Sequence, residues 1–250
     1  MAEPGTAATE AEVLRMKFRR GNHASFYDDF GEPVAPGLAL MRKAVAAGVA
    51  EVFASKEEAD RRLGKTHPSP LGNLRKAKPG GWKDRVVHDF KSSLVNLMVA
   101  LLERVVLPRP VDLGRDLARL GSLGRELALL VLDFEDAYHT IPMHPEERRF
   151  AACDIGEAYV VYRCLGFGGK GYPLVYCRVA SFAARCTMAM VADLAARLQL
   201  YMDDPALTLS GTRDSVHTLV DHVILFWLVL GIRVAWTKGK LVFLSPLSSC

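Results

Sequence analysis

The feature that most constrains the fold is a short predicted hairpin with an acidic tip. Residues 198–202 and 206–209 are two β-forming runs, and the turn residues Asp203-Asp204-Pro205 stand between them. Proline cannot donate a ladder hydrogen bond, but the first residue of a strand tolerates it. Asp-Asp is also a common turn pair, and Tyr27-Asp28-Asp29 places the same residues away from any β-forming run. The hairpin therefore predicts a sheet, and its function depends on its surroundings.

The segments on either side of the hairpin predict the rest of this sheet. Residues 128–132 form a continuous apolar run that ends at Asp133, which is typical of a strand buried on both faces. Residues 174–197 lack glycine and proline and predict a long helix. Residues 212–230 predict a second helix with a threonine N-cap and a glycine stop, and residues 232–236 predict a last strand. This order predicts an α+β fold, in which helices pack on one face of an antiparallel sheet.

The first half of the chain is basic. Residues 1–125 carry 21 Lys and Arg against 15 Asp and Glu, whereas residues 126–250 carry 11 against 13. Apolar spacing predicts helices over residues 37–53 and 94–106. Residues 61–91 hold nine basic and two acidic residues among prolines and glycines, which predicts a basic loop or hairpin. Such a segment either contacts phosphate or nucleic acid or is a solvated basic face without a partner.

Composition and spacing argue against several classes of protein. The five cysteines include no C-x-x-C pair and the histidines lack H-E-x-x-H spacing, so neither a disulfide framework nor a zinc site is predicted. The longest apolar stretch, residues 223–230, is far shorter than the roughly 20 residues that a membrane span needs. Residues 1–11 lack the basic start of a secretory signal. We therefore expect an intracellular protein with no membrane partner.

Asp133 and the pair Asp203-Asp204 predict a metal site. A sheet that places their strands side by side brings three carboxylates to one edge, where they repel one another unless a cation neutralises them. Oxygen ligands of this kind suit Mg²⁺ or Mn²⁺. Two such ions, roughly 3.5–4 Å apart, can clamp the attacking and leaving oxygens of a phosphoryl transfer. The three aspartates thus predict the chemistry of a polymerase.

Several segments resemble the motifs of reverse transcriptases. Tyr201-Met202-Asp203-Asp204 resembles the Y-x-D-D box of that family, and residues 132–138, Leu-Asp-Phe-Glu-Asp-Ala-Tyr, resemble its first carboxylate motif. The similarity extends from about Pro70 to Lys240. The other similar segments are the fingers segment 83–96, the stretch 103–108 after it, the glycine-containing motif 165–173 and the closing-strand motif 230–238.

The resemblance implies a role for each matching residue. Asp133, Asp203 and Asp204 would hold two Mg²⁺ or Mn²⁺ ions and form the catalytic centre. Lys238 would complete the catalytic set as the proton donor to the pyrophosphate leaving group. Tyr138 would lie under the sugar and exclude a 2′-hydroxyl, which favours deoxynucleotides. The implied nucleotide-binding residues are Lys78, Arg85, Asp136, Ala137, Tyr138, Phe167 and Gly168.

These nucleotide-binding residues would act through different groups. Arg85 and Lys78 would meet the triphosphate from the fingers, since the guanidinium fork of arginine can grip two phosphate oxygens. The backbone N–H groups of Asp136 and Ala137 would bind the same triphosphate. Gly168 would let the backbone approach the template–nucleotide pair, because it has no side chain.

The resemblance also predicts how the chain is divided. Residues 1–55 would be a leader without an assigned function, and residues 56–127 a fingers-like basic region. Residues 128–250 would be a palm-like catalytic region, from which residues 142–165 return to the fingers. The right-hand polymerase fold would thus contribute its fingers and palm, while the thumb and the RNase H domain would be absent after Lys240.

Two functions fit these expectations. The first is a reverse transcriptase of retrotransposon type, which would add deoxynucleoside triphosphates to a primer on an RNA or DNA template. The alternative is a non-catalytic, retroelement-derived nucleic-acid-binding relic. Gly166 and Phe167 favour this alternative, because many family members have proline at the first position and some have a polar residue at the second. An unrelated intracellular scaffold domain is a third and weaker possibility, and no oligomeric state is predicted.

Overall fold

The computed structural model of the chain describes residues 7–16, 21–27, 35–156, 158–191 and 196–244. Helices and strands alternate along these residues. In chain order they are α1 (Glu10–Arg15), α2 (Ala35–Ala46), β1 (Ala50–Phe53), α3 (Lys56–Leu63), β2 (Leu71–Lys78), β3 (Gly81–His88), α4 (Pro110–Gly121), β4 (Leu127–Val131), β5 (Ala152–Asp154), β6 (Tyr159–Tyr162), α5 (Tyr172–Met190), β7 (Ala196–Tyr201), β8 (Asp204–Ser210), α6 (Arg213–Val229) and β9 (Lys240–Leu244).

The chain divides into two compact units. The first consists of Met1–Glu103 and Tyr138–Pro173, and the second of Arg104–Ala137 and Leu174–Cys250. Helix α4 belongs to the second unit because it packs on the strands β4, β7 and β8. The predicted fingers-like region, residues 56–127, thus includes residues of both units.

The first unit contains a three-stranded antiparallel sheet of order β1-β6-β5 and a separate hairpin of β2 and β3. Strand β6 has the sequence Tyr-Val-Val-Tyr, and all four residues are buried. Aromatic and β-branched residues suit such a central strand. In the hairpin, pairing runs from Leu71↔His88 to Lys78↔Gly81. Buried Phe26, Leu71 and Phe90 belong to the core that these strands share.

The amino-terminal residues that the structure describes are packed into the first unit. Val13 and Phe26 are almost fully buried, and β1 pairs with β6. The Glu10 carboxylate accepts hydrogen bonds from both terminal nitrogens of the Arg149 guanidinium, each 2.9 Å long. This contact with Arg149 holds the pKa of Glu10 at about 2. The described part of the predicted leader, residues 1–55, is therefore a structural part of this unit.

The second unit is built on a four-stranded antiparallel sheet of order β7-β8-β4-β9. Leu130 pairs with Leu207 on one side and with Leu241 on the other, so these three side chains share a face of the sheet. Helix α6 covers this face with a buried stripe at helical spacing. The arrangement confirms the predicted α+β class. The buried stripe of α6 consists of Val216, Val220, Val223 and Trp227.

Helix α4 contacts the opposite face of the same sheet. Gln199 donates a hydrogen bond of 2.5 Å to the carboxylate of Asp116 on α4. Gln199 pairs with Ala206, and Leu129 pairs with Thr208, which places these residues on the face away from α6. Thr208 is fully buried there. The sheet of the second unit is thus covered in part on both faces.

Two predicted helices in the first half of the chain are wrong in extent. Within residues 37–53, helix α2 ends at Ala46 and β1 follows, because Gly48 has a φ of 70° and the helix does not continue through it. Residues 94–106 contain only the 3₁₀ turn Val95–Met98. Leu94 has a left-handed φ of 66°, which interrupts the helical path despite the apolar spacing.

Two predicted element ends in the second half also differ. The helix predicted over residues 174–197 ends at Met190 as α5, and Arg197 lies in β7, where pairing with β8 overrides helix propensity. Residues 192–195 lie outside the described residues. The last strand is β9, which pairs with β4, whereas residues 232–236 contribute only an isolated bridge between Val234 and Phe134.

Other predicted elements are confirmed. Helix α6 follows the N-cap Thr212, whose hydroxyl accepts from the Ser215 N–H at 3.3 Å, and Gly231 follows the helix with a φ of 75°. The basic segment 61–91 contains the β2-β3 hairpin. Within the ranges that the structure describes, no helix has both the length and the apolar character of a membrane span.

Candidate active site

The end of β4 lies directly beside the acidic turn. The Leu132 N–H donates to the Pro205 carbonyl at 3.1 Å, and the Phe134 N–H donates to the Asp203 carbonyl at 2.8 Å. Asp133 stands between these two anchored residues, and its own carbonyl accepts from the Ala235 N–H at 2.8 Å. The backbone is therefore fixed on both sides of Asp133, so its carboxylate emerges from a rigid strand end as the sequence predicts.

The turn itself begins one residue earlier than predicted. Tyr201 pairs with Asp204, so Met202 and Asp203 form a two-residue loop and Pro205 is the second residue of β8. Met202 has a φ of 57°, the left-handed conformation that such tight hairpin loops require. The Pro205 carbonyl faces β4, and because N and C=O of one residue point to the same side of an antiparallel strand, the missing N–H also faces β4. Proline therefore removes no bond from the β7-β8 ladder.

Two basic side chains lie against the first carboxylate motif. The Lys238 ammonium contacts the Asp133 carboxylate directly. Arg233 lies 3.7 Å from the Asp136 carboxylate. Asp136 has a φ of 50°, which is sparsely populated for a residue other than glycine and often marks a functional segment. Both cations come from the chain after α6, so the carboxylates at the end of β4 are balanced within their own unit.

The donor atoms suit a divalent cation. The Asp133 side chain is 23% exposed, Asp203 is half-buried and Asp204 is exposed. Carboxylate oxygens are the ligands that Mg²⁺ and Mn²⁺ prefer, and Asp133 already accepts one cation, the Lys238 ammonium. Among the described residues, however, no three Asp, Glu, His or Cys side chains are grouped to hold a metal ion as they stand. The two-metal site stays a prediction.

A cysteine that sequence reasoning missed lies against the acidic turn. The Cys177 sulfur is 3.2 Å from the Met202 sulfur. Burial, together with the negative charge of Asp203, raises the pKa of the Cys177 thiol. Helix α5 thus packs its first turns against the loop that carries Asp203. No local sequence signal announces this contact, because it joins residues that are far apart in the chain.

In the first unit, the structure brings together three of the predicted nucleotide-binding residues. The Arg85 guanidinium lies 5.2 Å from the centroid of the Phe167 ring. Tyr138 meets the same ring edge-on, with 5.6 Å between the ring centroids. Phe167 therefore contacts both the Arg85 guanidinium and the Tyr138 ring. Phenylalanine at this position, which the sequence marked as a departure from the family, contributes an aromatic surface rather than a polar contact.

The structure itself requires glycine at position 168. Its φ is 116°, and a Cβ atom at this position would lie 1.9 Å from the carbonyl oxygen of His88. The neighbouring Phe167 carbonyl accepts from the His88 N–H at 3.0 Å, and the Asn96 amide donates to the Gly168 carbonyl at 3.1 Å. The glycine thus lets the 165–173 motif pack on the end of β3. Its approach to a template–nucleotide pair stays a prediction.

The remaining predicted nucleotide-binding residues are Lys78, Asp136 and Ala137. Lys78 shares a face of the hairpin with Arg85 but lies four residues nearer its tip, about 14 Å away along the strand. Asp136 and Ala137 belong to the second unit and precede Tyr138 in the chain. Asp28 and Asp29 of the second Tyr-Asp-Asp string lie outside the described residues.

Comparison with known proteins supplies the family. Residues 81–246 match the family described as reverse transcriptase (RNA-dependent DNA polymerase). No curated protein matches the chain. The family match includes Asp133, Asp203, Asp204 and Lys238, and reverse transcriptases generally use divalent metals. Because it covers well over half of the 250 residues, the chain belongs to the reverse transcriptase family.

Proposed function

We propose that this reverse transcriptase domain adds deoxynucleotides to the 3′ end of a primer, directed by an RNA or DNA template. The observation that carries the proposal is the 2.8 Å hydrogen bond from the Phe134 N–H to the Asp203 carbonyl. It ties the first carboxylate motif to the Tyr-Met-Asp-Asp turn. The pairing of β4 with β8 supports the proposal, because it brings the backbones of the two motifs to the same end of the sheet.

We assign the metal-binding role to Asp133, Asp203 and Asp204, which would hold two Mg²⁺ or Mn²⁺ ions. Bound ions would supply the positive charge that stabilises the attacking and leaving oxygens of the phosphoryl transfer. The chain itself would hold these carboxylates in fixed positions. Asp133 follows β4, where Ala128 and Leu130 are buried but Val131 is exposed, so the predicted burial on both faces does not hold. Asp203 lies in a two-residue loop, and neither carboxylate needs a flexible segment to reach its position.

Lys238 is the proposed proton donor to pyrophosphate. Its ammonium contacts the Asp133 carboxylate, which holds this donor beside the proposed metal-binding aspartates. Lys238 is also half exposed, at 51% of its side chain, so its flexible stem can follow a leaving group.

Arg85, Phe167 and Tyr138 are the proposed nucleotide contacts of the first unit. The guanidinium of Arg85 would bind the triphosphate, and its position over Phe167 limits the orientations it can take. Tyr138 would exclude a 2′-hydroxyl, because its ring is braced against Phe167. Lys78 would contact the triphosphate from the tip of the β2-β3 hairpin. Gly168 would let the backbone approach the template–nucleotide pair, because it has no side chain. Asp136 and Ala137 would contribute backbone N–H groups.

The two units correspond, in this proposal, to the fingers and the palm of a polymerase. The first unit carries the basic hairpin and the aromatic group around Phe167. The second carries the four-stranded sheet with the three aspartates at its edge. The described residues of the predicted leader would support the fingers, since Val13 and Phe26 are buried in that unit.

The test is primer extension with an Asp203→Asn variant. The wild-type chain should extend a DNA primer on an RNA template in Mg²⁺ or Mn²⁺. Asp203→Asn should lower the rate at least about a hundredfold, since even the loss of an outer-shell partner of a metal ligand costs up to about that factor. The rate is measured by single-turnover extension of a labelled primer.

The matched control is Asp221→Asn, because Asp221 is an exposed aspartate on α6 in the same unit. It should extend the primer at the wild-type rate. If Asp203→Asn kept the wild-type rate, the catalytic assignment of the Tyr-Met-Asp-Asp turn would be wrong.

A second candidate function is nucleic-acid binding without catalysis. The contact between Lys238 and Asp133 favours it, because a tethered ammonium can neutralise the acidic edge without any metal. This alternative predicts that the chain binds primer–template equally well with and without divalent metal and extends no primer. The extension assay therefore separates the two candidates.

A further inference from the structure

The outer half of the β2-β3 hairpin has no hydrophobic core. Residues 74–83 are all exposed, yet the pairing register continues to the last pair, Lys78↔Gly81. Hairpins of two strands are marginally stable in water unless one face packs on something. The side chains of this outer half are therefore better explained by a ligand than by the fold.

The register assigns these side chains to two different faces. Pairing of Leu74 with Arg85 and of Lys76 with Lys83 places one apolar and three basic side chains on the first face. The second face carries the pairs Arg75↔Asp84 and Ala77↔Trp82. Adjacent like charges such as Lys76 and Lys83 suit an anion. The second face has a different character, since an acid balances its arginine.

The second face carries the exposed ring of Trp82 beside the Arg75 guanidinium, which is held by Asp84. The Arg75 guanidinium donates to Asp84 through Nε at 2.9 Å and through Nη2 at 3.3 Å. Asp84 also accepts from the Asn73 amide at 2.9 Å, and these contacts with Arg75 and Asn73 lower the pKa of its carboxyl group. The guanidinium lies 5.9 Å from the ring centroid of Trp82. Trp82 itself is 61% exposed.

We propose that Trp82 is a stacking site for unpaired bases of the template strand. The inference rests on the proposed function, which makes a template the ligand, and adds the residue that holds its single-stranded part. An indole ring stacks on any base, because every base has a π face. Unpaired bases can turn out and expose both faces, whereas bases inside a duplex are stacked on their neighbours. The fixed guanidinium of Arg75 extends the planar surface without adding a net charge.

The composition of this face argues against a protein or lipid partner. A contiguous exposed apolar patch is the usual mark of a surface that binds a protein or a lipid. Around Trp82 the face offers only Ala77 and the Arg75–Asp84 pair, and the other exposed apolar side chain of the outer hairpin, Leu74, lies on the opposite face. A single aromatic ring among polar groups on a basic hairpin fits a nucleobase instead.

The experiment measures binding of the full chain to two DNA duplexes without metal or deoxynucleotides. One duplex is blunt, and the other carries a ten-nucleotide 5′ overhang on the template strand. Trp236→Phe serves as the fluorescence background, so that Trp82 is the remaining exposed tryptophan among the described residues beside buried Trp227. We expect the overhang duplex to quench Trp82 fluorescence and the blunt duplex to leave it nearly unchanged.

Variants then assign the effect to the ring. Trp82→Ala should weaken binding of the overhang duplex roughly tenfold, within the range that alanine substitution of a stacking aromatic gives. It should leave the affinity for the blunt duplex unchanged. Trp82→Phe should recover most of the loss, because it keeps an aromatic face. The matched control is Leu74→Ala, an exposed apolar residue of the same hairpin, which should leave both affinities unchanged.

The outcomes separate this inference from the proposed function. If Trp82→Ala leaves the overhang affinity unchanged, or weakens both duplexes equally, Trp82 is not a stacking site. If primer extension fails while the overhang affinity still depends on Trp82, the chain binds single strands without polymerising and only the proposed function is wrong. Extension that proceeds with no dependence on Trp82 overturns the stacking site alone.

Discussion

At the scale of single residues, the contact between Asp133 and Lys238 supplies a positive charge to the Asp133 carboxylate when no metal ion is bound. An ammonium and a divalent ion cannot use the same carboxylate oxygen at full strength, so Lys238 competes with any ion that binds Asp133. Lys238 is half exposed, and exposed ion pairs contribute about 0.2–1 kcal/mol. The competition is therefore modest and can be measured.

We predict that Lys238→Met tightens Mn²⁺ binding. Removal of the competing ammonium should lower the dissociation constant about 1.4- to fivefold, which is the affinity equivalent of 0.2–1 kcal/mol for an exposed ion pair. The measurement is an electron paramagnetic resonance titration of free Mn²⁺. Lys240→Met is the control, since Lys240 is exposed on β9 and should not alter the affinity. Equal affinities for Lys238→Met and the wild type would show that Lys238 does not occupy the ion-binding side of Asp133.

The sequence predicted the positions of the acidic residues in the fold better than their contacts. The identities of Asp133, Asp203 and Asp204 follow from local motifs, and β4 and the hairpin stand where their patterns place them. The partners of these residues do not follow. The contact of Lys238 with Asp133 and that of Cys177 with Met202 join residues distant in the chain, and only the folded sheet brings them together.

At the scale of elements, the end of β3 contains a buried histidine that limits acid stability. His88 is 2% exposed, stacks on Phe90 with 5.2 Å between centroids and meets Tyr162 edge-on at 4.7 Å. Neither ring nitrogen has a hydrogen-bond partner within the part of the chain that the structure describes. Burial lowers the pKa of His88 to about 4, and the nearby His139 acts in the same direction.

We predict that His88 makes the protein less stable as the pH falls from about 6.5 to about 4. The unfolded histidine takes up a proton near pH 6.5, whereas the buried one does so only near pH 4. Protonation thus favours the unfolded chain in this window, by at most about 1.4 kcal/mol per pH unit. Urea unfolding at pH 7 and pH 5 gives the free energies.

The variant His88→Phe should reduce this pH dependence, because phenylalanine keeps the aromatic packing and does not titrate. His217→Phe is the control, since His217 is exposed on α6. It should keep the wild-type pH dependence. An unchanged difference between pH 7 and pH 5 in His88→Phe would mean that His88 does not set the acid limit.

Element boundaries were harder to predict than element types. Helix α6 follows from its threonine N-cap and its terminal glycine, which are local signals. By contrast, Arg197 has a good helix propensity but lies in β7, because the hydrogen bonds of β7 with β8 outweigh this local preference. The last strand was predicted over residues 232–236 but is β9, because pairing with β4, which is distant in the chain, determines which segment becomes a strand.

At the scale of the whole molecule, the chain is a reverse transcriptase domain made of two units. The family and the α+β class were predictable from the sequence, because both depend on motifs and hydrophobic patterns that are local. The division of the chain was less predictable. Helix α4 and the described amino-terminal residues join their units through packing contacts, which charge and composition do not indicate.

The most direct test of the central claim is templated addition of a single nucleotide. A primer on an RNA template is incubated with the chain and one deoxynucleoside triphosphate at a time, on four templates that differ in the first unpaired base. We predict that only the complementary nucleotide is added on each template, in Mg²⁺ or Mn²⁺, and that EDTA abolishes the addition. Failure to add the complementary nucleotide with either metal, or addition that ignores the template base, would contradict the account.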